Sequence, residues 1–373
     1  MEKSKVYFTS FKATFSENLM QKLERLIKTA GMGNIDFKDK YAAIKMHFGE
    51  YGNLAFLRPN YAKVVGDVVK EFGGKPFLTD CNTLYVGSRK NALDHLDNAY
   101  RNGFTPYATG CQVLIADGLK GTDEVIVPID GEHVKEAKIG RALMDADILI
   151  SLTHFKGHEA TGFGGTLKNI GMGGGSRAGK MEMHNAGKPF VRTSKCVGCG
   201  CCTKVCAHEG ISVTEGKAFI DEEKCVGCGR CIGVCPKDAV STRLDESNDI
   251  LNCKIAEYTY AICKDRPCFH ISLICDVSPN CDCHGENDIP IIPNVGMLAS
   301  FDPVALDMAC VDLCNKQPVI NGSILSANME EHHVHEEDTD RFNLTHPDTN
   351  WRSCIEHGVK IGLGTDKYEL IEI

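Results

Sequence analysis

Two cysteine runs constrain this chain more than any other feature. Cys196-Val197-Gly198-Cys199-Gly200-Cys201-Cys202-Thr203-Lys204-Val205-Cys206 reads C-x2-C-x2-C-x3-C, with Cys201 as an extra thiol. Cys225-Val226-Gly227-Cys228-Gly229-Arg230-Cys231-Ile232-Gly233-Val234-Cys235-Pro236 repeats the spacing. The repeat marks an internal duplication. Of the 20 cysteines, nine lie from Cys196 to Cys235, nine beyond residue 250, and only Cys81 and Cys111 before residue 190. Disulfide staples are not the expected reason, because 373 residues bury a core without them. Met1-Glu2-Lys3-Ser4-Lys5-Val6 lacks the apolar run of a signal peptide. No stretch reaches the roughly 18 apolar residues that cross a bilayer. The expectation is a cytoplasmic chain, without a membrane partner, whose reduced thiols bind metal.

The spacing has a chemical reason. In a cube of four irons each corner needs one thiolate. Two-residue gaps bring three sulfurs onto one cube from a tight loop, and the glycines permit the turn. The fourth cysteine follows on a helical turn and points to the other cube. One cluster should therefore use Cys196, Cys199, Cys202 and Cys235, and the other Cys225, Cys228, Cys231 and Cys206. Zinc would suit one such run. Two runs, separated by the short strand-like segments Ile211-Ser212-Val213 and Ala218-Phe219-Ile220, resemble a bacterial ferredoxin with two [4Fe-4S] clusters. The first run departs from that pattern by ending Cys206-Ala207-His208, without the proline.

The flanks read as alternating strand and helix. Thr14 and Glu17 have capping-box spacing ahead of Leu19, Leu23, Leu26 and Ile27 at helical period. Residues 61–72 and 93–102 read as helices, and 41–46, 75–80, 113–117 and 146–151 as strands. The last two are short and apolar, as in a parallel sheet covered on both faces. The Gly-rich runs 161–166 and 171–176 read as loops that approach a ligand. The fold class expected is α/β: a layered, mostly parallel sheet domain (residues 1–190 and 244–373) interrupted by a small α+β ferredoxin-like two-cluster domain (residues 191–243).

Those flanks resemble the DUF362 family, uncharacterised proteins that often carry a ferredoxin insert. The likeness rests on Ile44-Lys45-Met46-His47-Phe48-Gly49-Glu50, Ser151-Leu152-Thr153-His154-Phe155-Lys156-Gly157-His158, Gly164-Gly165-Thr166-Leu167-Lys168-Asn169-Ile170-Gly171-Met172-Gly173 and Gly296-Met297-Leu298-Ala299-Ser300-Phe301-Asp302-Pro303-Val304-Ala305-Leu306-Asp307. It implies the interrupted α/β domain but supplies no reaction. The His-rich strand end followed by Gly-Gly-x-x-Lys is also similar in fold terms to the lactate racemase catalytic domain.

Two further groups carry chemistry. Lys45 and His47 lie at one strand end, and His154, Lys156 and His158 at another, where open α/β sheets bind ligands. With Lys168 and His184 they could form a pocket for a small-molecule ligand, with histidine moving protons. Cys275, Cys281 and Cys283, beside His284, have the donors for a third metal or cluster site. The net charge of −9 argues against nucleic acid, and a single Trp argues against a carbohydrate platform. The expected function is single-electron transfer by two [4Fe-4S] clusters to a redox partner protein or to a site in the α/β domain. The alternatives are a ferredoxin-linked oxidoreductase with its own Lys/His or Cys site, and a non-catalytic cluster sensor or assembly factor. Oxygen-sensitive clusters suit an anaerobe.

Overall fold

Apolar segments on both sides of the cysteine module join one eight-stranded sheet. The computed structural model describes residues 3–84, 87–184, 188–242, 246–335 and 340–373. The strands are β1 (Ser4–Ser10), β2 (Tyr41–Lys45), β3 (Lys75–Asp80), β4 (Gln112–Ile115), β5 (Ile148–His154), β6 (Cys268–Ile274), β7 (Gly296–Ser300) and β8 (Tyr368–Glu372). Their spatial order is β8-β1-β7-β6-β5-β2-β3-β4. β6, β5, β2, β3 and β4 run parallel, as do β1 and β8, while β7 is antiparallel to both its neighbours. This is the mixed α/β class with the mostly parallel sheet that the sequence predicts.

Six helices position the site: α1 (Leu19–Thr29), α2 (Pro59–Glu71), α3 (Thr166–Gly174), α4 (Arg177–His184), α5 (Asn248–Cys263) and α6 (Pro303–Asn315). Side chains along a strand alternate between faces. Ala42, Ile44, Ile148 and Ile150 pack with Leu23 and Leu26 of α1 and Val65 and Val69 of α2. Ala43 and Leu149 belong to the opposite core, with Ile170 of α3, Ile255 and Ile262 of α5, and Leu306 of α6. With both faces covered, β5 is buried along its whole length. β4 departs from that expectation: it is an edge strand, and Leu114 is 47% exposed.

Two local expectations are corrected. α1 starts later than Thr14 and Glu17 suggest. Asn18 is its N-cap and accepts from the Met20 and Gln21 amides, and Gln21 Oε1 accepts from the Asn18 amide. The second Gly-rich run belongs largely to helix α3 and not to a loop. A Cβ on Gly171 would lie 2.3 Å from the Ile255 carbonyl oxygen, and one on Gly173 would lie 2.3 Å from Lys45 Nζ. These glycines let α3 approach α5 and make room for a buried lysine, which outweighs their poor helix propensity.

The cysteine runs sit in a small unit of their own. Pro189–Val191 pairs antiparallel with Val240–Thr242 at its neck. Ile211–Thr214 and Lys217–Ile220 form a hairpin that turns through Glu215 and Gly216, both at positive φ. Leu84 and Met181 of the host pack with Ile220, Ile232 and Val240 of this unit. Among the described residues, no helix is long and apolar enough to cross a membrane.

Candidate functional site

The parallel strands end on one edge of the sheet, and their ends build a cavity. β2 brings Lys45 and His47, β3 brings Asp80, and the short strand Lys156–His158 follows β5. The loop after β6 brings Cys281 and Cys283, α3 brings Lys168, and α4 brings Lys180 and His184. All these residues line one cavity, together with Arg89. It meets an outer chamber at His158, His184 and Cys283, where Glu159 and His284 also lie.

Buried ion pairs set the cavity's electrostatics. Lys45 Nζ lies 2.9 Å from Asp80 Oδ1 and donates to Asn169 Oδ1 at 3.0 Å. Burial lowers the Lys45 pKa, and Asp80 opposes it. Arg89 Nε donates to Glu50 Oε2 at 2.9 Å, and its Nη1 lies 2.8 Å from His47 Nε2. Burial, helped by Arg89, pushes His47 down to about 3, and burial does the same to His184. Lys156 Nζ lies 3.4 Å from Asp282. Burial works to lower Lys168, but the Cys281 sulfur, 3.6 Å from its Nζ, together with Cys283 and Glu159 outweighs this and raises it. Lys180 donates to the Gly175 carbonyl at 2.6 Å. Lys168 and Lys180 thus face the cavity with no carboxylate partner among the bonds described, which suits an anionic ligand.

Two expected residues lie elsewhere. His154 points away from the cavity: Nδ1 meets Asp282 at 2.9 Å and Nε2 meets the Cys275 carbonyl at 2.7 Å. It positions the loop that carries Cys281 and Cys283. Cys275 is buried in the core on the α1–α2 side and does not line the cavity. Cys281 and Cys283 both line the cavity, so of the expected trio of thiols the structure brings two together there. Asp80, Arg89, Lys180 and Asp282 have no signal in the sequence, where single charged residues carry no motif.

The family described as "Domain of unknown function (DUF362)" matches residues 42–312. The chain belongs to the DUF362 family. It is 25% identical over 209 residues to a thylakoid-associated protein of Synechocystis, a match covering 52% of this chain and 60% of that protein. Two solved structures are similar at low identity. The lactate racemase apoprotein of Thermoanaerobacterium thermosaccharolyticum is 11% identical, with TM-score 0.38 over 72% of this chain and 51% of that one. A Thermotoga maritima protein is 14% identical, with TM-score 0.43 over 80% and 57%.

In this DUF362 chain the cysteine runs repeat in backbone as well as in sequence. Gly198 and Gly227 have φ of 64° and 71°, and Gly200 and Gly229 have 73° and 66°. The Gly210 amide donates to Cys206 Sγ at 3.3 Å, and the Ala239 amide donates to Cys235 Sγ at 3.2 Å, with the same offset in each run. One hollow is lined by Cys196, Cys199, Cys201, Cys202 and Cys235. Cys228 and Cys231 lie on the side of the unit that meets Arg177: their sulfurs act on its charge, and Gly229 and Gly233 leave the space it fills. Arg177 is fully buried, and its Nε and Nη1 have no hydrogen-bond partner among the described residues. Outside the runs, two groups among the described residues place three metal-ligand atoms within 4.8 Å of one another: His133, Cys253 and His357, and Glu159, Cys283 and His284.

Proposed function

We propose that this chain is an iron–sulfur redox protein that passes single electrons from two [4Fe-4S] clusters to an anionic ligand in the Lys/His cavity. Cys196, Cys199, Cys202 and Cys235 would hold one cluster, and Cys225, Cys228, Cys231 and Cys206 the other. The observation that carries the reading is the hollow at the first set. Four thiols of the first run, Cys196, Cys199, Cys202 and the extra Cys201, line it with Cys235, the last thiol of the other run, whereas Cys206, nearer in sequence, does not. That is the crosswise arrangement the spacing calls for. Amide-to-sulfur hydrogen bonds at Cys196, Cys206 and Cys235 suit thiolates that carry charge. The two unpartnered nitrogens of Arg177, Nε and Nη1, suit an anionic group beside Cys228 and Cys231.

The placement of α4 supports an onward path. Arg177 and Met181, one turn apart, meet the cysteine unit, while Lys180 and His184, also one turn apart, meet the cavity. α4, about 10 Å across, thus reaches both, as does the segment in which Thr83 lines the cavity and Leu84 packs on the cysteine unit. On the outer side Cys199 is exposed beside exposed Val197, which suits entry of electrons from a partner protein. When bound, the clusters supply one-electron chemistry. The chain supplies cations to bind the ligand.

The test is iron and sulfide counting on anaerobically purified protein, with EPR of the dithionite-reduced form. The expected result is roughly eight irons and eight sulfides per chain, with signals from two interacting clusters. Colourless protein, or zinc in place of iron, would reject the reading.

A further inference from the structure

We propose that Glu159, Cys283 and His284 hold a divalent transition-metal ion at the junction of the two chambers, with one coordination position left open to the ligand. The proposal deepens the reading of the cavity as the place where electrons are used. It rests on residues outside the cysteine runs, so it can fail or stand separately from the clusters.

The three residues come from two loops. Glu159 follows the short strand Lys156–His158, and Cys283 and His284 lie in the loop after β6. The contact between His284 Nε2 and Glu159 Oε1, at 2.9 Å, would by itself be an ordinary ion pair. The setting asks for more than that. The loop backbone is held at each successive position: Glu50 N donates to Asp282 O at 2.9 Å, Arg89 Nη2 to Cys283 O at 3.4 Å, and Asn53 Nδ2 to His284 O at 3.1 Å. The Asp282 side chain is anchored on His154 and Lys156. Gly285 allows the loop to touch its neighbour, since a Cβ there would lie 2.7 Å from the Tyr51 carbonyl oxygen. Donors whose supports are this complete are presented in place before an ion arrives.

The donor set selects the ion. Thiolate, imidazole and carboxylate together suit Zn²⁺ or Fe²⁺, whereas Mg²⁺ and Ca²⁺ take oxygen ligands. Three protein ligands leave a fourth position, as catalytic zinc sites do. Cys283, His284 and Glu159 line the outer chamber beside His158 and His184, so that position opens onto ligand space. The charges also balance. One thiolate and one carboxylate neutralise a 2+ ion, and Lys168 answers the neighbouring Cys281 sulfur at 3.6 Å. A ligand oxygen bound at the open position would lie within the cavity's field of lysines.

The experiment uses the full chain purified anaerobically, treated briefly with chelator, loaded with Zn²⁺ and gel-filtered. Zinc and iron are measured in the same sample, and zinc K-edge X-ray absorption reads the coordination shell. We expect a retained zinc with one sulfur at about 2.3 Å and nitrogen or oxygen neighbours at about 2.0–2.2 Å. Cys283→Ser and His284→Ala should each lower zinc by one equivalent with iron unchanged. Glu159→Gln, at a partly exposed position, should weaken zinc binding by roughly tenfold or more without touching the fold. Cys253→Ser, which breaks the other three-donor group, should leave that zinc in place. Failure to retain zinc, undiminished zinc in the Cys283 and His284 variants, or a shell of four sulfurs would overturn the proposal. Iron-free protein that still holds zinc through these residues would support it while rejecting the clusters.

Discussion

Replacing Asp282 with alanine tests how the cavity is held in shape. Asp282 is fully buried between Cys281 and Cys283. Its carboxylate oxygens lie 2.9 and 3.0 Å from His154 Nδ1, and Lys156 Nζ is 3.4 Å away. Burial alone would favour the neutral acid, but His154 and Lys156 outweigh it and hold the group well below the usual carboxylate range. Truncation strands a buried lysine. Removing one partner of a buried pair costs about 3–5 kcal/mol. Adding Lys156→Met removes the stranded cation, and the double variant should recover about 1–3 kcal/mol relative to additivity. The assay is guanidinium unfolding under argon, followed by the fluorescence of Trp351. That tryptophan is the only one in the chain, 1% exposed and packed against Phe163. A carboxyl with a depressed pKa contributes stability that is present above its unfolded value and lost as pH falls through the folded one. The penalty should therefore shrink below pH 3.8. A loss under about 1 kcal/mol at neutral pH, or strict additivity of the two changes, would refute the reasoning.

Other outcomes follow from the same contacts. Cys228→Ala should lower iron by roughly half, because three thiolates hold a cube poorly while the other set is intact; unchanged iron would reject the ligand assignment. Arg177→Gln should make the potential of one cluster more negative, since a buried cation stabilises the reduced state. A potentiometric EPR titration reads this, and equal shifts at both clusters would count against the placement. His47, His95, His184 and His270 are each pushed down to about 3, with burial the main cause. They stay neutral in the fold but gain a proton near pH 6.5 when unfolded. Stability should be full above pH 6.5 and fall as pH drops towards 3, by up to about 1.4 kcal/mol per histidine per pH unit. Unfolding midpoints that are flat between pH 8 and 5 would contradict this.

The sheet was legible in the sequence because strands such as β3 and β5 carry local signals: short apolar runs closed by polar residues. Lys45, His47, Lys156, His158, Lys168 and His184 were legible as a set because strand ends in a parallel sheet share an edge. The second Gly-rich run departs from the loop its composition suggests for a physical reason. Glycine signals only that backbone or a side chain comes close, and whether it makes a loop or a tight helix contact depends on the partner, here Ile255 of α5 and the ammonium of Lys45.

Spacing along the chain determined which thiols repeat, where the strands run and which residues stand at their ends, because these depend on neighbours within a few positions. Tertiary structure alone decided that Cys275 turns into the core, that His154 serves Asp282, and that Glu159 meets His284 across two loops. Those choices depend on burial and charge pairing between residues more than a hundred positions apart. No local pattern encodes such pairings until the chain has closed around them.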